Sequence, residues 1–383
     1  MKLLYLILTA GIIFVLLFFM NDRFDEDDVE LKSWAINQID NDLSLFKKTK
    51  FKELDIEDAY KNLSNIDGNI ILRFQIIDGN LYSNYNDLDK TNAEIAEANN
   101  ILHRFLGNLI KHHGFNKNVE FIVSVSEKLN IPSDYNLKAP IIVPFKNPQD
   151  SFASCMLIAP DRFNISEWPR LYSDILGANS KYPWNRKIEK AFWRGSSTGG
   201  VYTRENWQDF PRVKLVELSI ENPNLLDAKF TALAQHDYIA EIISEKFPLA
   251  IAVSQSDHVK YKIQVSIDPN STSLSGFLWR LLSSSLVLRQ KSNNAQWFYP
   301  LLHEGQHYIA IEHDMSDLLD KVKWALEHDE EAKNIAFAGS ELIKNEITPD
   351  HLYLYWGRLL SEYSKLQDFN LKTPSLDRSK YID

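Results

Sequence analysis

The segment Phe192-Trp193-Arg194-Gly195-Ser196-Ser197-Thr198-Gly199-Gly200 places a fixed cation, three hydroxyls and three glycines at the end of an apolar run. Hydroxyls donate to phosphate oxygens, a guanidinium offers a planar fork of donors, and glycines let the backbone approach a ligand. A second stretch of the same kind runs from Lys260 to Ile309. It reads as a strand, a Ser/Gly-rich turn ending in Ser275-Gly276, a helix carrying Arg280, a second strand and an aromatic segment. In an α/β protein a polar turn between strand and helix suits a phosphate, because the helix N-terminus presents unpaired N–H groups and a partial positive charge. Arg212, just after Pro211, adds another cation. Each signal has a plain alternative. Ser/Gly loops are often only turns, and an arginine inside Phe277-Leu278-Trp279-Arg280-Leu281-Leu282 either serves a ligand or snorkels to solvent. Taken together they point to a phosphate-bearing substrate.

His303-Glu304-Gly305-Gln306-His307 offers a rival chemistry, since it matches the HExxH zinc motif and His313 follows at the spacing of a third ligand. Such a motif needs both histidines on one face of a continuous helix. Pro300 and Gly305 bracket it, and Tyr308-Ile309-Ala310-Ile311 reads as a strand. Ala310 stands where the longer pattern has glycine, and Met315 follows His313 too soon for a methionine turn. A zinc hydrolase is therefore the weaker reading.

At 383 residues the chain is long for one core, so two domains are expected. A net charge of −10 argues against nucleic-acid binding, which needs a basic surface, so phosphate recognition must come from a local cation cluster. The single cysteine, Cys155, excludes an internal disulfide and reads as a small buried residue. Leu3 to Met20 is uncharged and apolar; at 1.5 Å per residue it spans about 27 Å. With Lys2 before it and Asp22, Asp25, Glu26, Asp27 and Asp28 after it, the run is read as an uncleaved signal anchor, in preference to a cleaved signal peptide, of a single-pass membrane protein in type II-like orientation. An anchor without disulfides fits a bacterial inner membrane and an ER/Golgi protein alike.

The elements that must hold these residues follow from periodicity. Trp34, Ile36, Ile39, Leu43 and Phe46 predict an amphipathic helix after the anchor. Gly68 to Tyr82 alternates and carries Asp-Gly and Asp-Gly-Asn punctuation, so it reads as a hairpin, and Thr91 to His113 reads as a helix ended by Gly114. Val119 to Val125 and Ala139 to Phe145 read as strands. Pro160 to Trp184, with Pro169 and Pro183, reads as a loop bridging two domains. Beyond it, strands at Ala191–Arg194, Tyr261–Ile267, Leu286–Arg289 and His307–Ile311 alternate with helices at Pro211–Asn222, Phe277–Ser284, Ser316–His328 and Glu330–Asn345. A last amphipathic helix covers His351–Leu366. Alternating strands and helices predict parallel sheets.

These segments resemble glycosyltransferase family 90, the group that includes protein O-glucosyltransferases, fungal capsule-associated proteins and bacterial lipopolysaccharide-modifying transferases. The resemblance is carried by Tyr182-Pro183-Trp184 with Lys187, by Ala191-Phe192-Trp193-Arg194-Gly195-Ser196 and by Pro211-Arg212-Val213-Lys214-Leu215. It continues through Asp257-His258-Val259-Lys260-Tyr261-Lys262, Gly276 to Ser283, Gln296 to Leu301, His307-Tyr308, Leu354-Tyr355-Trp356 and Leu360-Ser361-Glu362-Tyr363. It implies a GT-B fold, two Rossmann-like domains facing across a cleft, and a metal-independent, inverting transfer from a UDP-sugar, glucose or xylose, to a hydroxyl of a glycan, glycolipid or protein. The implied layout is an anchor at 1–21, an acceptor-side domain with helical stem at 22–185, a nucleotide-sugar domain at 186–345, and a helix and tail at 346–383 packing back on the first domain. Arg194, Gly195, Ser196, Arg212, Ser275, Gly276 and Arg280 become the donor-binding residues. The animal members carry Arg near Gly276, and Arg280, one helical turn on, is expected to supply that charge. Glu127 stands where the O-glucosyltransferases have an Asp base; by its own sequence it reads equally as an exposed strand end beside Lys128. A non-catalytic nucleotide-sugar-binding relative is the alternative.

Overall fold

The computed structural model describes residues 31–84, 92–126, 128–234 and 240–378. The apolar run 3–20 and Glu127 lie outside them. The first sheet holds β1 (Ile71–Ile77), β2 (Asn80–Ser83), β3 (Val119–Ser124), β4 (Ile141–Val143) and β5 (Met156–Ile158). Its order is β2-β1-β3-β4-β5, with the short strand Asp377–Arg378 on the β2 edge. The expected hairpin forms and turns at the second Asp-Gly pair: Asp78 and Gly79 both take positive φ (49° and 75°), which suits a two-residue turn between twisted strands. β1 is antiparallel to β2 and β3, whereas β3, β4 and β5 are parallel. Only one side of this sheet is thus Rossmann-like.

The second sheet is wholly parallel: β6 (Ile188–Ser196), β7 (Leu226–Ala232), β8 (Tyr261–Ser266), β9 (Leu286–Gln290) and β10 (Ile309–Ile311), in the order β10-β9-β8-β6-β7. The chain steps from β6 outward to β7, then returns to the other side of β6 with β8 and continues to β9 and β10. That reversal makes the β6/β8 boundary a topological switch point, where a crevice opens at the carboxyl ends of the strands. β7 was not anticipated, because its edge position leaves Asp227 and Lys229 in an otherwise short apolar run.

The segment read as an inter-domain loop is instead a helix, Arg162–Lys181, with Pro169 inside it. Proline removes one helical hydrogen bond, a cost of about 3 kcal/mol in a helix interior. Trp168, Leu171, Ile175 and Ala178 recur at helical spacing and are all buried, and that stripe outweighs the lost bond. The last helix, Pro349–Ser364, docks on the first sheet through ring donors: Tyr355 Oη to Ile158 O (2.9 Å), Trp356 Nε1 to Pro160 O (3.0 Å) and Tyr363 Oη to Pro140 O (3.3 Å).

The expectation of a single-pass membrane protein is corrected. Among the described residues no helix is long and apolar enough to cross a membrane. The 20-residue helix Arg162–Lys181 shows why, since it carries Arg162, Glu167, Arg170, Asp174 and Lys181.

Candidate functional site

At the switch point β6 ends in Arg194-Gly195-Ser196 and β8 runs on into Ile267 and Asp268. Arg212, in the first turn of the helix Pro211–Glu221, straps the two ends together. Its Nη1 donates to Ser196 O (2.8 Å) and Thr198 Oγ1 (2.7 Å), its Nη2 to Ile267 O (3.2 Å) and its Nε to Asp268 O (3.3 Å). Burial pushes this guanidinium down to about 10.

Arg280 lies one turn into the helix Ser275–Leu282, whose N-terminus has no side-chain cap. It does not snorkel. The residue is buried, its Nη1 donates to Gly276 O (2.8 Å), and its Nε is buried without a partner among the described residues. Among the described residues no carboxylate pairs with it. Burial pushes its pKa down to about 9, and the charges of Arg212 and Arg289 push the same way. Arg289, by contrast, is bound to Asp268 (3.0 Å) and the Tyr299 hydroxyl (2.9 Å), and these partners raise it despite its burial. A buried cation with no counter-charge is costly to hold. An anion would relieve that cost, and the helix N-terminus beside Arg280, which no side chain caps, adds the Ser275 amide as a further donor.

Arg194, Gly195, Arg212, Ser275, Gly276 and Arg280 all line one cavity of about 230 Å³. Arg194 is nonetheless turned aside, since its Nη2 meets Asp227 Oδ2 at 3.0 Å and its Nη1 donates to the carbonyls of Trp193 and Asp227. Ser196 contributes its carbonyl to Arg212, and its hydroxyl lies 3.5 Å from Thr198 Oγ1. Gly195 is required by packing, because a Cβ there would come within 2.5 Å of the Trp193 indole. Leu274 enters the helix at φ 41°, a strained conformation of the sort that collects at ligand loops. Ser275 Oγ donates to Glu167 of the Arg162–Lys181 helix at 2.9 Å.

Thr198, one of the hydroxyls of that loop, is the one that Arg212 holds, and sequence reasoning missed Asp161. The latter caps the Arg162–Lys181 helix, its side chain accepting from the amides of Phe163 and Asn164. An Asp ahead of the Trp168/Leu171/Ile175 stripe was the available signal.

The HExxH reading fails on geometry. Residues 303–307 form a turn with Gly305 at φ 77°, and His307 Nδ1 accepts from the His303 amide at 3.0 Å. His313 is bonded to Gln290 (3.1 Å). Among the described residues no group of three or more His, Cys, Asp or Glu side chains is arranged to hold a metal.

The profile of the family described as glycosyl transferase family 90 matches residues 33–379. The chain belongs to that family. Human protein O-glucosyltransferase 3 is 36% identical over 197 residues, 51% of this chain and 36% of that protein. Rat protein O-glucosyltransferase 1 is 30% identical over 207 residues, 54% of this chain and 50% of that one. The matched segments span about a third to a half of these relatives' own length. Anabaena HepE in complex with UDP-glucose aligns over 59% of this chain and 65% of that one, with 12% identity and a TM-score of 0.39, too slight a likeness to carry an argument. In this family 90 chain the cavity at the β6/β8 boundary therefore gathers six of the seven residues expected to bind the donor.

Proposed function

We propose that this chain is a GT-B, metal-independent, inverting transferase that moves a sugar, glucose or xylose, from a UDP-sugar to a hydroxyl of a glycan, glycolipid or protein. The observation that carries the reading is Arg280, a buried cation without a carboxylate, beside an uncapped helix N-terminus at the switch point of a family 90 chain. The names of the O-glucosyltransferase relatives support the sugar class.

In the proposed reaction the acceptor oxygen attacks the anomeric carbon from the face opposite UDP, and the bond from that carbon to the β-phosphate oxygen breaks. One displacement inverts the centre. Negative charge grows on the departing diphosphate, where Arg280 and the amide of Ser275 offset it. Arg212 keeps the β6 and β8 ends at the spacing the diphosphate needs. Glu127, which follows Ser126, takes the acceptor's proton.

The test is UDP release and UDP binding by the full chain in EDTA, with Arg212→Ala and Glu127→Gln alongside. Release that persists in EDTA, binding lost in the first variant and only turnover lost in the second is the expected result. UDP binding with no release from any acceptor or water would identify a binding-only relative. No UDP binding would end the donor reading.

A further inference from the structure

Asp161 is one of the buried carboxylates that the reaction above leaves unused. Asp161 follows β5, and its Oδ1 accepts from the Phe163 amide (2.8 Å) and the Asn164 amide (3.1 Å). Its Oδ2 is buried and has no partner among the described residues, and the residue as a whole is only 9% exposed. It lines a cavity of about 130 Å³ at the carboxyl ends of β3, β4 and β5. Most of the other walls are apolar, Val143, Ala159, Phe163, Leu274 and Trp356 among them. Trp356 is held there by its bond to Pro160 O, so the last helix completes the cavity.

Size and polarity decide what fits. A comparable apolar cavity of about 150 Å³ accepts benzene and otherwise stays dry. A pyranose placed in such a space would leave hydroxyls unpaired, at a cost of about 1–3 kcal/mol each. An aromatic ring or a short alkyl group would leave none. Position decides what such a group belongs to. Phe163, Pro269 and Leu274 line both this cavity and the one holding Arg280. Ser126, the neighbour of Glu127 in the chain, lines it as well.

We propose, on the basis of the transferase reading, that this cavity receives an apolar group carried next to the acceptor's reacting hydroxyl. Asp161 is then the positioning residue that accepts a hydrogen bond from a second hydroxyl or amide of the same acceptor. The acceptor class is a hydroxyl compound with an aromatic or short aliphatic neighbour, rather than a wholly polar glycan. The arrangement follows the common logic of small-molecule sites, apolar walls with few convergent polar groups.

The test is calorimetric titration of the UDP-saturated full chain with methyl and phenyl β-D-glucopyranoside. The phenyl compound binds about tenfold tighter than the methyl one. Ala159→Leu, which fills the cavity, abolishes that preference and leaves UDP affinity unchanged. Asp161→Asn retains the helix cap, since Asn caps as well as Asp. It weakens the phenyl compound about tenfold while UDP affinity stays constant, a split that a merely structural aspartate would not produce. Equal affinities, no binding of the phenyl compound, or a preference that survives Ala159→Leu overturns the proposal. So does a loss of UDP-glucose affinity in Ala159→Leu with UDP affinity intact, which would assign the cavity to the donor's sugar. Absence of UDP binding by the unmodified chain would strike the transferase reading instead.

Discussion

Arg280 and Asp161 are two buried charges of opposite sign, each left with an unmatched atom, and each lines one of two cavities that share a wall. Groups of that kind weaken a ligand-free protein and strengthen its complex. Arg280→Met should therefore lower UDP affinity about 10- to 100-fold, the worth of a charge-assisted hydrogen bond, while the melting temperature of the ligand-free chain holds or rises. A ligand-free melting temperature that drops by several degrees would make Arg280 structural. For Asp161 the sign follows from linkage. Burial raises its pKa to about 6, so between about pH 4 and 6 the folded chain holds a proton that the unfolded chain has lost. Stability falls as pH rises through that window, and the penalty is complete above it. Asp161→Asn should gain about 2 kcal/mol at pH 7.5 and nothing near pH 4, read as a pH-dependent difference in melting temperature. Equal midpoints at pH 7.5 would refute it.

The site depends on how β6 ends and where β8 begins. Gly195 lets the Trp193 indole lie back along β6, and an added methyl at 2.5 Å must displace either the ring or the strand end. Gly195→Ala should cost about 1–3 kcal/mol in denaturant unfolding and weaken UDP binding as well, because Arg212 is tied to the next carbonyl. Normal UDP affinity in that variant would show that the strand end does not shape the site. Some elements were plain in the sequence. Asp78-Gly79 between alternating apolar residues became the hairpin, and the strand, Ser-rich turn and Arg280 helix formed in the expected order. The Arg162–Lys181 helix was hidden by Pro169 and Pro183, whose local effect is real but smaller than the burial of four apolar side chains on one face. Its misreading also hid Asp161, since a cap has meaning only with its helix.

The two sheets are joined by more than the chain. Trp297 Nε1 donates to Asn164 Oδ1 (2.9 Å), Lys146 and Ala295 exchange backbone hydrogen bonds at 3.1 and 2.8 Å, and Trp168 Nε1 donates to Ile347 O (2.9 Å). Phe277, Leu278 and Leu281 of the Arg280 helix share one apolar core with β3, β4 and β5 residues. Calorimetric heating should therefore show one transition that moves upward as a whole with UDP, and two peaks of which UDP moves only one would contradict this. Composition, order and periodicity were enough to nominate the arginines, hydroxyls and glycines of the donor site and to place them at strand ends and a helix start. Which arginines would gain a carboxylate partner was decided by the sheet. Asp227 reaches Arg194 across 33 residues and Asp268 reaches Arg289 across 21, because β7 lies beside β6 and the β8 end lies beside β9. Strand order is set by burial summed over the whole molecule and leaves no mark in local spacing, so the buried Nε of Arg280, with no carboxylate beside it among the described residues, shows only once the chain is folded.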